Sequence, residues 1–196
     1  MNLGELRNFN TNMCVYIKMA TFGKTKNDKV THNKHDDYMT PKKAWEDISD
    51  LIPKNKIIYE AFYGDGKSGD YLKELGFNVI HKKYPQEADF FKDNYGDIIV
   101  SNCPFSKKKQ VFTRLKDLGK PFIMICPASM ITTKYFRDLF ADTEDKIQII
   151  IPNGRIQFKK LIDGKVPDEW ENKKDCNFDC FYYCWKIGLK NDITYL

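Results

Sequence analysis

The stretch "KIIYEAFYGDGKSGDYLKELG", Lys56 to Gly76, decides the fold class. Its first part, "KIIYEAF", is apolar and rich in β-branched and aromatic residues, the composition of a buried strand. Its last part, "GDYLKEL", has a helical pattern and stops at Gly76, a residue suited to closing a helix. Between them stand Gly64, Gly66 and Gly69. Glycines between a strand and a helix let a ligand approach the backbone closely.

The same alternation continues in both directions. Upstream, "TPKKAWEDISDLI" (40–52) reads as a helix, with Thr40 as N-cap, Pro41 at the first helical position, and Ala44, Trp45, Ile48, Leu51 and Ile52 on one stripe. Downstream, "FNVIH" and "DIIVS" read as strands, and "KKQVFTRLKDLG" as a helix with Val111, Leu115 and Leu118 on one face. "PFIMIC" reads as a buried strand, "TTKYFRDLF" as a helix, "KIQIII" as a strand, and "CNFDCFYYCWKI" as a long aromatic strand. Alternation over this length predicts a doubly wound, Rossmann-like α/β domain whose sheet is mainly parallel and flanked by helices. There is no internal repeat.

The 196 residues are 42% hydrophobic, enough for one sizeable core. Residues 1–35 hold six basic side chains against two acidic ones and show no clean period; they read as a basic arm or extension. The net charge of +5 therefore sits mostly there, and the body, 36–196, is nearly neutral. A basic arm on a neutral body suits nucleic acid. The polar stretch 161–175 reads as a hairpin tip or mobile insertion. No apolar run is long enough to span a membrane and no secretory h-region opens the chain, so the expectation is an intracellular protein with no membrane partner. Its six cysteines then read as reduced thiols.

The glycine loop admits two ligand readings. Ala61-x4-Gly66-Lys67-Ser68 fits a relaxed phosphate loop. Alternatively, Glu60-x-Phe62-x-Gly64-x-Gly66 is an acid at a strand tip followed by glycine turns, which suits a cationic, adenosine-bearing cofactor such as S-adenosylmethionine. A phosphate loop wants a partner strand ending in Asp for Mg²⁺, and the candidate strand ends in Ser101-Asn102. Glu60 would also face the phosphates, which is electrostatically poor. The second reading is preferred.

The turn "SNCPF" (101–105) adds an amide, a proline-restricted backbone and an aromatic ring in consecutive positions. An exocyclic adenine amine is a weak nucleophile because its lone pair delocalises into the ring. Two acceptors on its hydrogens would localise that pair: the Asn102 side-chain oxygen and the Cys103 carbonyl, the latter aimed by Pro104. Phe105 can stack on a base, an interaction worth roughly 1–3 kcal/mol. This chemistry relies on alignment and preorganised dipoles and uses no metal.

Taken in order, these motifs resemble those of the Dam-like DNA adenine-N6 methyltransferases, class I S-adenosylmethionine-dependent amino-methyltransferases, over roughly 36–186. "DDYMTPKKAW", with Tyr38 and Thr40, resembles their N-terminal cofactor segment and "EAFYGDGKSG" their glycine motif. "ADFF" (88–91), with Asp89 and Phe90, is similar to the acid-aromatic pair that holds the cofactor's adenine. "SNCPF" stands where the family has Asn/Asp-Pro-Pro-Tyr/Phe. The resemblance implies a seven-stranded methyltransferase fold. It also implies S-adenosylmethionine bound by Tyr38, Thr40, Glu60, Phe62, Gly64, Gly66, Asp89 and Phe90, with Asn102, Cys103, Pro104 and Phe105 as the catalytic turn. The substrate would be adenine N6 in double-stranded DNA, flipped from the helix. Lys107, Lys108 and Lys109 would contact it, and Arg155 and Phe158 in "NGRIQF" would pack against the base.

Two departures stand out. Cys103 replaces the quartet's first proline, and the strand "FNVI" runs into His81, Lys82 and Lys83, where relatives carry an acid for the ribose hydroxyls. The short spacing between the glycine motif and the quartet also leaves no room for a large recognition domain. Sequence specificity would come from small loops, the arm, or a second subunit, whether another copy or a specificity chain. The same turn chemistry also serves RNA adenine and protein glutamine amides, and a catalytically degenerate nucleic-acid-binding module is the reading from a different class. Cys176, Cys180 and Cys184, four apart, miss the usual zinc spacing and read as buried strand thiols. His32, His35 and His81 form no ligand pattern.

Overall fold

The computed structural model describes Asp36, residues 38–160 and residues 177–196. The arm expected over 1–35, the insertion expected over 161–175 and Cys176 lie outside the described residues.

The expected alternation is present. In chain order the elements are β1 (Tyr38–Met39), α1 (Lys42–Glu46), β2 (Ile57–Glu60), α2 (Lys67–Glu74), β3 (Asn78–His81), β4 (Ile98–Asn102), α3 (Lys108–Leu118), β5 (Phe122–Pro127), α4 (Lys134–Phe140), β6 (Ile147–Ile151), β7 (Lys159–Lys160), β8 (Cys180–Trp185) and β9 (Ile193–Tyr195). Short 3₁₀ turns precede α3 and α4. Seven strands form one sheet in the order β3-β2-β4-β5-β8-β6-β9, and β1 pairs with β7 in a separate ribbon. Every strand pairing in the large sheet is parallel except those of β8, which runs against both β5 and β6. The sheet is therefore Rossmann-like and mainly parallel.

Strand alternation divides the core in two. Ile58, Ile98, Val100 and Tyr182 face α1 and α2, whose Trp45, Ile48 and Leu72 are buried against them. Tyr59, Ile99, Met124 and Tyr183 face α3 and α4, which contribute Val111, Phe112, Leu115, Phe136 and Phe140. Two buried polar tips are satisfied across the first layer. Trp45 Nε1 donates to Ser68 Oγ at 3.0 Å, and the Tyr182 hydroxyl donates to the Ala44 carbonyl at 2.7 Å. Cys180 and Cys184 are buried on the same face of β8, as strand thiols.

Helix α1 is shorter than its pattern predicts. It spans five residues, with Pro41 rather than Thr40 at the N-cap, and no side chain caps it. Turns carry the rest of the segment while Ile48 and Ile52 stay buried, so burial rather than helix continuation explains the stripe. Among the described residues no helix is long and apolar enough to cross a membrane.

Candidate active site

The chain leaves β2, builds β3 on one side, then returns to place β4 on the other. In open parallel sheets this reversal opens a crevice beyond the strands' carboxyl ends, where ligands bind. β2 ends at Glu60 and β4 at Asn102, so the glycine loop and the "SNCPF" turn flank this crevice.

On the β2 side, Gly64 and Gly66 both have positive φ, and Gly66 caps α2. Met39 lies against the loop. Its Sδ accepts the Asp65 N–H at 3.2 Å, and a Cβ on Gly64 would come within 2.9 Å of the same sulfur. Thr40 is buried beside it, and Met39, Thr40, Lys42, Asp65, Lys67 and Lys159 line a cavity of about 140 Å³. Glu60 is 1% exposed and turns inward. Ser101 Oγ donates to its Oε1 at 2.5 Å, and His81 Nε2 lies 2.8 Å from its Oε2. Glu60 thus ties β2 to both neighbours, at the start of the glycine loop.

Phe62 packs on Phe90 with ring centroids 5.0 Å apart, and Phe90 is buried while Phe91 is exposed. Asp89 uses its carboxylate locally, accepting the Phe91 N–H at 3.0 Å and pairing with Lys92. Arg114, from α3, donates to the carbonyls of Phe90, Lys92 and Asp93 and pins this loop. Nothing in the local sequence pattern singles out Arg114.

On the β4 side, the Asn102 amide donates from Nδ2 to the Tyr38 carbonyl at 3.2 Å. That carbonyl accepts only from the nitrogen, which fixes the amide's orientation. Asn102 Oδ1 is then buried with no hydrogen-bond partner among the described residues. Cys103 is buried, its N–H reaching the Ile125 carbonyl at 3.3 Å and its Sγ 3.2 Å from Cys126 Sγ. Burial and the neighbouring Cys103 push the Cys126 thiol well above its ordinary range. Pro104, at φ −63° and ψ 116°, hands the chain to the turn that Phe105 opens.

Phe105 joins an aromatic cluster. Tyr38 lies near-parallel to it at 6.3 Å, and Phe158 and Phe178 meet it edge-on at 6.1 and 5.3 Å. Phe158 thus lies beside Phe105, and the Tyr38 ring stands on the Phe105 side of the crevice with its carbonyl on Asn102. Phe178, unmarked in the sequence, completes the cluster. Arg155 pairs with Asp179 at 2.9 Å. The lysine run divides: Lys107 and Lys109 are exposed, while Lys108 is half-buried and donates to the Phe105 carbonyl at 3.3 Å. Among the described residues, no group of three or more His, Cys, Asp or Glu could hold a metal ion.

No family model matches the sequence, and no curated protein does. Solved structures give weak likenesses. TehB from Haemophilus influenzae aligns at a TM-score of 0.38 and 10% identity, over 73% of this chain and 60% of that one. A candidate class I S-adenosylmethionine-dependent methyltransferase from Listeria monocytogenes gives 0.43 and 13%, over 83% and 66%. A dimethyladenosine transferase from Plasmodium falciparum gives 0.40 and 11%, over 76% and 62%. The chain spans less than two thirds of each of these. Similarity at this level leaves substrate and chemistry to be read from the site itself.

Proposed function

We propose that this chain is an S-adenosylmethionine-dependent methyltransferase acting on an exocyclic amine, adenine N6 in double-stranded DNA. The observation that carries the proposal is the buried Oδ1 of Asn102, unpartnered among the described residues and held in a fixed orientation at the switch point of the sheet. An orphaned buried acceptor costs free energy, on the order of 1–3 kcal/mol, unless a donor arrives. A planar amine brings that donor.

The residues fit the cofactor. Met39, Thr40 and the Gly64–Gly66 backbone line one side of the crevice, Phe62 and the Asp89–Phe90 loop offer an adenine wall, and the Glu60 carboxylate contributes negative charge near a cation. Bound there, S-adenosylmethionine supplies an electrophilic methyl group. The chain's own part is to hold and polarise the amine. Asn102 Oδ1 accepts one N–H, the Cys103 carbonyl accepts the other, and the nitrogen lone pair is drawn out of conjugation toward the crevice. Phe105, with Tyr38 and Phe158, supplies the aromatic surface for a flipped base. Exposed Lys107 and Lys109 contact phosphates and offset the cost of flipping.

The test is a competition for label. Methyl-labelled S-adenosylmethionine is incubated with equal amounts of unmethylated duplex DNA, RNA and a glutamine-bearing peptide. The proposal expects label in DNA. Label in RNA or peptide alone would keep the amine chemistry and replace the substrate.

One observation favours a second reading, a nucleic-acid-binding module without turnover. Phe105 is already enclosed by Tyr38, Phe158 and Phe178, and a base must part these rings to reach it. That reading expects DNA binding with steep salt dependence and no label in any substrate.

A further inference from the structure

His81 ends β3 at the position where an acid is expected, yet its side chain is only 3% exposed. The register explains why. Glu60 and His81 are direct partners in the parallel β2–β3 ladder and are the last residues of their strands. Paired residues of neighbouring strands project to the same side of a sheet, so the imidazole falls beside the carboxylate.

We propose that His81 is a positioning residue of the cofactor site, locking the Glu60 carboxylate and the glycine loop against one another and thereby setting affinity for S-adenosylmethionine. This rests on the methyltransferase reading above. Three contacts carry it. His81 Nε2 is 2.8 Å from Glu60 Oε2, a close approach rather than an aligned hydrogen bond, and neither atom has a hydrogen-bond partner among the described residues. The Tyr63 ring, from the glycine loop, stacks on the imidazole with centroids 4.4 Å apart and planes 24° from parallel. Gly69, in the first turn of α2, also lies against the imidazole, and an added Cβ there would lie 2.0 Å from Nδ1 and 2.3 Å from Cγ. The imidazole fills the volume that the missing side chain leaves. One ring thus touches the acid at the tip of β2, the loop that follows it and the helix that the loop starts. A buried carboxylate is costly without a partner. Here Ser101 donates to one oxygen and the imidazole stands against the other, and the carboxylate is held in one place as the glycine turns begin.

The experiment measures S-adenosylmethionine dissociation constants by calorimetry on the full chain, beside thermal unfolding, for the wild type, His81→Ala, His81→Gln and Tyr63→Leu. His81→Ala is expected to weaken binding about tenfold or more, because a preorganised site loosens when one supporting side chain is removed. His81→Gln, whose amide can still donate to Glu60, should recover most of that affinity. Tyr63→Leu, which removes only the stacked ring, should weaken binding less, in the same direction. Methyl transfer should show the change in the cofactor KM, with kcat at saturating cofactor nearly unaltered. If His81→Ala or Tyr63→Leu binds as tightly as the wild type, the positioning role is wrong and the methyltransferase reading stands. If the Ala and Gln variants lose affinity and stability equally, His81 is only a packing residue. A wild type that binds no cofactor would remove both this inference and the reading beneath it.

Discussion

The two halves of the crevice handle polar groups in opposite ways. On the β2–β3 side the Glu60 carboxylate has a close neighbour at each oxygen, a hydrogen bond from Ser101 and His81 Nε2 at 2.8 Å, and the half-buried Asp65 N–H meets Met39 Sδ. On the β4 side Asn102 satisfies its nitrogen, and its oxygen has no partner among the described residues. Polar groups held against close neighbours are fixed in place, whereas a buried acceptor with no polar neighbour is open to a donor. On the proposed reading the first half is the frame and the second the reacting centre.

The largest expected effect breaks the reacting half alone. Asn102→Ala should lower kcat by about 10²–10³-fold, the usual cost of removing one preorganised dipole from a reacting centre, while cofactor affinity stays near wild type by calorimetry. Equal losses in both quantities would erase the distinction between the halves. Next comes the frame itself. Gly96 has φ +61°, and a Cβ there would sit 2.7 Å from the Ile57 carbonyl at the start of β2. Gly96→Ala should destabilise the fold by on the order of 2 kcal/mol, seen as a lower denaturation midpoint.

Phe105→Ala is expected to raise the KM for DNA by roughly tenfold, within the 1–3 kcal/mol range of a stacked base, and Phe105→Tyr to restore it. The lysine run sharpens the contrast further. Lys107→Ala and Lys109→Ala should each reduce the slope of log affinity against log salt by about 1. Lys108→Ala should leave the slope intact and act through the Phe105 carbonyl that it holds.

The smallest effect at neutral pH comes from the core. Burial pushes up the Cys126 and Cys184 thiols and the phenols of Tyr59, Tyr182 and Tyr183. Unfolded, these groups ionise near their ordinary values of 9.0 and 10.0, while the folded chain keeps their protons. The unfolded state thus binds fewer protons at alkaline pH, so the contribution of these groups to stability is flat below about pH 9 and falls above it. Denaturant midpoints across the alkaline range will show the decline.

The frame was more legible in the sequence than its working parts. "KIIYEAF", "PFIMIC" and "CNFDCFYYCWKI" announce buried strands because burial on both faces needs unbroken apolar runs. β1, β7 and β9 have two or three residues each and carry no period. α1 shows a stripe that turns sustain as well as a helix does. Asn102, Pro104 and Phe105 were legible as a turn at a strand end. The unpaired Oδ1 was not, because it depends on a carbonyl at Tyr38, 64 residues away in sequence. His81 read as an ordinary histidine on a basic tip. Its burial follows from strand register and from the gap at Gly69, neither of which a local pattern records.

The central claim is that Asn102 Oδ1 waits for an amine hydrogen, and the position of the transferred methyl tests it most directly. Unmethylated duplex DNA would be treated with labelled S-adenosylmethionine and the enzyme for a single turnover, then digested to nucleosides for mass spectrometry. Label on adenine N6 is the predicted result. Label on a carbon such as cytosine C5, which offers no N–H to the orphaned acceptor, would contradict it.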